Sequence, residues 1–162
     1  MRHIIVIAHN IRSTHNIGSI FRTCDGFGVE KIILSGYSPY PATEHDTRLP
    51  HLRDKVTAQI HKTALGAENS VPFEVVTDID FTALQHEGYR IIGLEQHPRS
   101  QPLHTYQPPD KIVLLLGEEV DGIDSSLISM CDDIVEIPMY GSKESFNVSV
   151  SAGIALYHLR MA

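Results

Sequence analysis

The most informative stretch of the sequence is Ile137-Pro138-Met139-Tyr140-Gly141-Ser142-Lys143-Glu144-Ser145-Phe146-Asn147-Val148-Ser149-Val150-Ser151. An apolar strand ends at Pro138, a loop containing Gly141 follows, and a helix opens on Ser145 and Asn147. In an α/β protein, such a junction builds a ligand site from backbone amides and short polar side chains. A plain helix N-cap is the alternative reading of the Ser and Asn, so the stretch alone names no ligand.

Two further stretches carry polar residues at strand ends and helix starts. Residues 10–29 read NIRSTHNIGSIFRTCDGFGV, in which Asn16 precedes Arg22 by six positions. That spacing need not place both side chains on one helix face, but it is consistent with Asn16 as the N-cap of a helix that carries Arg22. Residues 114–123 read LLLGEEVDGI, an apolar strand followed by an acidic loop between Gly117 and Gly122.

Taken in their order along the chain, the three stretches resemble the motifs of the SpoU (TrmH-like) branch of the SPOUT RNA methyltransferases. The matching features are the Asn and Arg six residues apart, the Leu-Gly-x-Glu-x-x-Gly-Ile loop, and the Ile-Pro-Met strand that runs into Ser-x-Asn-Val-Ser. The resemblance spans residues 4 to 157. Two departures are Phe146, where the family often has Leu, and a divergent insert at 39–61.

The resemblance implies S-adenosylmethionine as the cofactor, a homodimer, and a deep trefoil knot over roughly residues 90–157. Knotted chains are rare exceptions among protein folds. The implied activity is methyl transfer to a ribose 2′-hydroxyl of structured RNA, with tRNA preferred to rRNA because a bare catalytic domain suits a compact RNA. Apolar residues of the last helix, among them Val148, Val150, Ile154, Ala155 and Leu159, exceed what one face needs and favour the dimer.

The resemblance also assigns roles to individual residues. It implies a cofactor pocket lined by Leu94, Leu116, Gly117, Ile137, Met139, Ser145 and Phe146, for which core packing is the alternative. It implies a catalytic set of Asn16, Arg22, Glu119, Ser145 and Asn147. Because guanidinium is too weak an acid to act as a free base at neutral pH, we expect Arg22 to clamp a phosphate and stabilise charge on the attacking oxygen.

Charge is distributed unevenly along the 162 residues, although the formal net charge is −7. Residues 1–62 hold eight Lys or Arg against five Asp or Glu, and the remainder is strongly acidic. A mildly basic N-terminal third can supply phosphate contacts. The residues expected to contact RNA are Arg12, His15, Arg22, Arg48 and Arg53, for which ordinary surface charge is the alternative.

Short apolar runs alternate with helical patterns, which predicts an α/β fold with a mainly parallel sheet and helices on both faces. Prolines predict a loop over 36–51 and an irregular stretch over 96–109. The predicted strands are 3–8, 31–34, 73–76, 90–94, 112–116 and 134–137, and the predicted helices are 16–27, 52–64, 79–87, 124–131 and 147–160.

Length and composition set broader limits. Residues 1–162 are expected to form one SPOUT methyltransferase domain with a cytoplasmic location, because no apolar run approaches a membrane span. Cys24 and Cys131 are expected to be buried thiols. The histidines at 45, 51, 61 and 104 match no standard ligand spacing, so no metal site is expected.

Two other classes of function compete with the methyltransferase. One is a non-catalytic RNA-binding or assembly protein that retains the fold, against which stands the presence of every motif residue. The other is a nucleotide-dependent dehydrogenase, which is disfavoured because no Gly-x-Gly-x-x-Gly turn follows the first strand.

Overall fold

The computed structural model describes residues 1–162. Its strands are β1 (His3–His9), β2 (Lys31–Ser35), β3 (Phe73–Val76), β4 (Arg90–Leu94), β5 (Gln101–Pro102), β6 (Lys111–Leu116) and β7 (Asp133–Glu136). Its helices are α1 (Thr14–Gly26), α2 (Pro50–Ala64), α3 (Ala67–Ser70), α4 (Phe81–His86), α5 (Ser125–Met130) and α6 (Val148–Met161), and a short 3₁₀ turn covers Leu103–Thr105.

The seven strands form one sheet in the order β3-β2-β1-β6-β4-β7-β5, and every neighbouring pair is parallel. The predicted α/β class and mainly parallel sheet are therefore confirmed. All six predicted strands are present, with small shifts at their ends. The sequence pattern missed β5 and α3, which are only two and four residues long.

Alternating side chains of the central strands feed two separate cores. In β1, Ile4 and Val6 pack with α1, α2 and α6 on one face, whereas Ile5 and Ile7 pack with α4 and α5 on the other. The same alternation occurs in β6. Because both faces are covered by helices, these strands are apolar at almost every position, as parallel strands usually are.

Helix α1 begins two residues earlier than predicted. Its N-cap is Ser13, whose side-chain oxygen accepts a hydrogen bond from the backbone N–H of Asn16 at 3.2 Å. The expectation that Asn16 is the N-cap is therefore wrong. Because the hydroxyl of Ser13 satisfies this helix end, the side chain of Asn16 is free to make other contacts.

Helix α6 has a buried face and an exposed apolar face. Ala155 and Leu159 are fully buried against α1 and the sheet. Four apolar side chains on the other face are exposed at a spacing of one helical turn. These are Val150 (49%), Ile154 (38%), Tyr157 (61%) and Met161 (63%).

The parallel strands all end at the same edge of the sheet. The chain leaves β1 toward β2 and β3 on one side, whereas β6 and β4 lie on the other side. Ligands of open parallel sheets bind beyond the carboxyl ends of the strands, where the strand order changes direction. We therefore expect a ligand site at the loops after β1, β4 and β6.

Candidate active site

A cavity of about 490 Å³ lies beyond the carboxyl ends of β4 and β6. Its volume is in the range of small-molecule sites. It is formed by residues 94–96, 116–122, 144–148 and Ser151. A smaller cavity beside it adds Glu136 and Ile137. The three segments that form most of the wall come from the loop after β4 and from two of the sequence motifs.

The loop between Gly117 and Gly122 is folded tightly on itself. The backbone groups of Glu118 and Gly122 exchange two hydrogen bonds of 3.0 Å. A Cβ atom at Gly117 would lie 2.6 Å from the carbonyl of Gly122, and Gly122 itself has a φ of +72°. Only glycine suits both positions, so the wall of the cavity is made of backbone here.

Glu95 and Gln96 hold the other two segments to the end of β4. The Glu95 carboxylate accepts a hydrogen bond of 2.8 Å from the backbone N–H of Ile123, just after the tight loop. The Gln96 side chain donates to the carbonyl of Glu144. Sequence reasoning missed both residues, although their position directly after a predicted strand was a signal that could have found them.

The cavity wall is acidic. It contains the carboxylates of Glu95, Glu118, Glu119, Asp121 and Glu144, and no Lys or Arg lines it. Such a wall favours a ligand that carries positive charge and disfavours a free phosphate group.

One hydrogen-bond network joins the three sequence motifs beside this cavity. The Glu119 carboxylate accepts from the side-chain amide of Asn16 (3.1 Å) and from the backbone N–H groups of Arg12 (3.2 Å) and Ser13 (3.3 Å). Asn16 in turn accepts a hydrogen bond of 3.2 Å from the side chain of Asn147. Burial raises the pKa of Glu119, but these hydrogen bonds outweigh it and leave the pKa below its ordinary value.

Asn147 has two roles in this arrangement. Its side-chain oxygen accepts from the backbone N–H of Ser149 at 2.9 Å and so caps α6, while its amide group binds Asn16. The two readings of this residue, helix cap and site residue, are therefore both present in the structure. Its neighbours Ser145 and Phe146 line the cavity and are exposed to solvent.

Of the remaining residues expected to bind a cofactor, four line a cavity and one does not. Leu94, Leu116 and Gly117 line the main cavity, and Ile137 lines the smaller one. Met139 is half-buried and lines neither cavity.

Arg22 lies away from this cavity within one chain. It is exposed and lines a separate shallow cleft with Asp25 of α1 and residues 64–67 and Ser70 at the end of α2 and in α3. Asn16 and Arg22 thus point to different places, as their spacing allows.

The residues expected to contact RNA are not equally available. Arg12 is 77% exposed and pairs with Glu118 at 3.1 Å, and His15 is exposed at the start of α1. Arg48 is held in its own loop by Asp46, by the carbonyls of Tyr40 and Pro41, and by stacking over the Tyr40 ring at 3.7 Å.

Arg53, the last of these residues, pairs with the adjacent Asp54 at 2.8 Å.

Both cysteines are buried, as expected, and burial raises the pKa of the Cys131 thiol to about 11. No three His, Cys, Asp or Glu side chains are grouped so that they could hold a metal ion. None of the helices is both long and apolar enough to cross a membrane.

Residues 3–157 match the model of the SpoU rRNA Methylase family. The chain belongs to this family. It is 33% identical over 162 residues to the 23S rRNA (guanosine-2'-O-)-methyltransferase RlmB of Neisseria meningitidis, with 97% of this chain and 58% of that protein covered. The chain therefore spans little more than half the length of that relative.

Other relatives support the same family. Over 158 residues, the chain is 34% identical to the tRNA (guanosine(18)-2'-O)-methyltransferase TARBP1 of Mus musculus, with 95% of this chain but only 9% of that protein covered. The crystal structure of a TrmH/SpoU tRNA modifying enzyme from A. aeolicus aligns with a TM-score of 0.80 at 25% identity, covering 99% of this chain and 75% of that one. An AdoMet-bound rRNA methyltransferase from Sinorhizobium meliloti has the same fold, with a TM-score of 0.79 at 24% identity, covering 98% and 56%.

Proposed function

We propose that this protein transfers a methyl group from S-adenosylmethionine to a ribose 2′-hydroxyl of structured RNA, with tRNA preferred to rRNA. The observation that carries the proposal is the Asn16–Glu119–Asn147 network, which brings the three motif stretches together at one cavity. The names of the two relatives given above support RNA 2′-O-methylation, one on rRNA and one on tRNA. A protein of this family at work on RNA would be cytoplasmic.

The cavity suits the proposed cofactor in charge and in wall structure. When bound, S-adenosylmethionine supplies an activated methyl group on a positively charged sulfur. Five carboxylates and no basic group line the cavity, which favours such a cation. Leu94, Leu116 and Phe146 provide apolar surface, and the tight packing at Gly117 and Gly122 places main chain instead of side chains at the part of the wall that would hold the adenine.

Catalysis then depends mainly on position. With the attacking ribose oxygen held in line with the methyl carbon, the O–C bond would form as the C–S bond breaks, the sulfur would leave as a neutral thioether, and the hydroxyl proton would pass to solvent. Glu119 acts as a positioning residue, because its carboxylate already accepts three hydrogen bonds that fix the start of α1. Ser145 and Asn147 are the exposed polar groups that orient the nucleotide at the rim.

Arg22 requires a second copy of the chain in this proposal. It lines a different cleft from the cavity of its own chain, so the site is complete only if a partner brings its Arg22 to the cavity. The exposed apolar face of α6 supplies a surface that such a homodimer would cover. Arg22 then clamps an RNA phosphate and stabilises the developing charge on the ribose oxygen.

The proposal extends to the chain path and the domain. As members of one SPOUT methyltransferase domain, residues 1–162 would contain a trefoil knot over roughly 90–157, and the order β6-β4-β7 is compatible with it. Pulling the chain from residues 90 and 157 would test the knot. A tightened knot leaves a final contour length shorter than the ~3.3–3.6 Å per residue of an extended chain.

Two measurements test the function. The purified protein should bind S-adenosylmethionine in calorimetric titration and should show no affinity for nicotinamide cofactors. Ribose-methylation mapping of tRNA and rRNA, in cells with and without the gene, should reveal one nucleotide that loses its methyl group. Binding of RNA without either result would favour the non-catalytic RNA-binding or assembly protein.

A further inference from the structure

The loop that follows β2 contains a tight turn with unusual backbone conformations. Gly36 has a φ of +63°, and Asn10, beside it at the end of β1, has a φ of +55°. Glycine adopts this left-handed conformation freely, and asparagine adopts it more readily than most other residues. The Asn10 side-chain oxygen accepts a hydrogen bond of 3.1 Å from the backbone N–H of Tyr37.

The turn is fixed from both sides. A Cβ at Gly36 would lie 1.8 Å from the Asn10 side-chain oxygen, so the two loops are in direct contact. Ser38, only 4% exposed, donates its hydroxyl to the carbonyl of Ala8 and accepts from the N–H of Ile11, both at 2.9 Å. The backbone at Tyr37 is thus fixed by its own hydrogen bond to Asn10 and by the two hydrogen bonds of the next residue, Ser38.

This rigid turn presents an aromatic ring to solvent. Tyr37 is 50% exposed, although aromatic side chains usually bury most of their surface. The guanidinium carbon of Arg12 lies 6.0 Å from the centre of its ring, and the Arg12 side chain is 77% exposed. Glu118 orients this guanidinium through the 3.1 Å ion pair.

The Tyr37 and Arg12 pair adjoins the candidate active site. Glu118, the partner of Arg12, lines the main cavity, and the backbone N–H of Arg12 binds Glu119. The pair lies on the rim, where it adds an aromatic ring and a cation beside a cavity whose wall is otherwise acidic. Exposed aromatic rings and Arg planes are the surfaces on which proteins stack unpaired RNA bases.

We propose that Tyr37 and Arg12 form a docking site for an unpaired RNA base next to the nucleotide that is methylated. The base stacks on the Tyr37 ring, and Arg12 contributes its cationic plane and contacts the neighbouring phosphate. This inference rests on the proposed function, because it names part of the RNA surface recognised by that site.

Binding of short RNA without cofactor tests the proposal. The probes are an octaadenylate that carries one 2-aminopurine and an octamer with the same backbone but no bases. Tyr37→Ala and Tyr37→Leu should weaken octaadenylate binding by about 5- to 150-fold, the range measured for loss of base stacking. Tyr37→Phe should stay within twofold of the unmodified protein because it keeps the aromatic face.

The controls separate base docking from other roles of the ring. All three variants keep the backbone N–H that binds Asn10, so their melting temperatures should match that of the unmodified protein. The base-free octamer should bind weakly and equally to all of them, and the quenching of 2-aminopurine should disappear in Tyr37→Ala.

Three results would overturn the inference. They are equal affinity for the two octamers, full affinity in Tyr37→Leu, or a loss of S-adenosylmethionine affinity in Tyr37→Ala that would place the ring in the cofactor site. If the unmodified protein bound no S-adenosylmethionine and transferred no methyl group, the proposed function would fail instead, whatever the octamers showed.

Discussion

The Asn147 side chain donates a hydrogen bond to the side-chain oxygen of Asn16, 3.2 Å away, although the two residues are 131 positions apart. The amide group of Asn16 in turn donates a hydrogen bond of 3.1 Å to the Glu119 carboxylate. A side-chain amide can donate and accept at once, so it can join two groups in this way. The network therefore depends on Asn at position 16.

Replacing Asn16 tests this connection. Asn16→Ala should lower the free energy of unfolding by about 1–3 kcal/mol, because two hydrogen bonds are lost, and should reduce methyl transfer more than tenfold. Asn16→Asp should be no better, since it removes the donor and places a second carboxylate against Glu119. Urea unfolding and a methyl-transfer assay would measure both effects, with Ser19→Ala in the same helix as the matched control. Full activity in Asn16→Asp would contradict the role of the network.

Glycine at position 117 should control cofactor binding. In Gly117→Val, the new side chain would start 2.6 Å from the Gly122 carbonyl, so the loop must move and the cavity wall changes. We expect loss of both cofactor affinity and methyl transfer. Gly26→Ala is the control, because a Cβ there meets nothing within 4 Å. Calorimetric titration with S-adenosylmethionine decides the matter, and unchanged affinity in Gly117→Val would place the cofactor elsewhere.

The lowered pKa of Glu119 predicts a pH dependence. A carboxyl whose folded-state pKa lies below its ordinary 4.5 stabilises the fold above that value and loses this contribution as the pH falls through the folded-state pKa. Between pH 6 and pH 3, the unmodified protein should therefore lose more free energy of unfolding than Glu119→Gln. Other carboxyls contribute equally to both proteins and cancel in the difference. If the free energies of unfolding of the two proteins changed equally with pH, the hydrogen bonds of Glu119 would contribute nothing to stability.

The sequence predicted those parts of the site that follow from local pattern. The resemblance implied that Leu94 and Leu116 line the cofactor pocket, and local pattern agrees, because both residues end apolar strands and parallel strands end at one edge. The N-cap of α1 was not, because Ser13 and Asn16 are both good capping residues and only the fold chooses between them. Arg48 shows a further limit, since composition counts its charge but does not reveal that Asp46 and Tyr40 hold it within the loop.

Arg22 should act on the RNA side of the reaction. Arg22→Ala should lower methyl transfer by a factor of about 100 or more, the usual cost of losing a group that stabilises developing charge, while cofactor affinity stays the same. Arg22→Lys should also fail, because a point charge does not replace the planar fork that binds phosphate. Lys31→Ala is the control, because Lys31 begins β2, pairs with Glu74, and lines neither the cavity nor the cleft of Arg22. Single-turnover assays at saturating cofactor would measure these effects, and near-normal turnover in Arg22→Ala would remove Arg22 from the mechanism.

The location of Arg22 outside the cavity of its own chain makes a stronger test possible. If a partner supplies Arg22, an Arg22→Ala chain still has an intact cavity and a Gly117→Val chain still has an intact Arg22. After the two inactive proteins are mixed and allowed to exchange subunits, half of the dimers should be mixed, each with one complete site. Activity should then recover to about a quarter of the normal value, as expected for a two-fold dimer. Ile154→Glu on the exposed face of α6 should prevent both dimerisation in sedimentation and this recovery, whereas a mixture that stays inactive although mixed dimers form would show that each chain completes its own site.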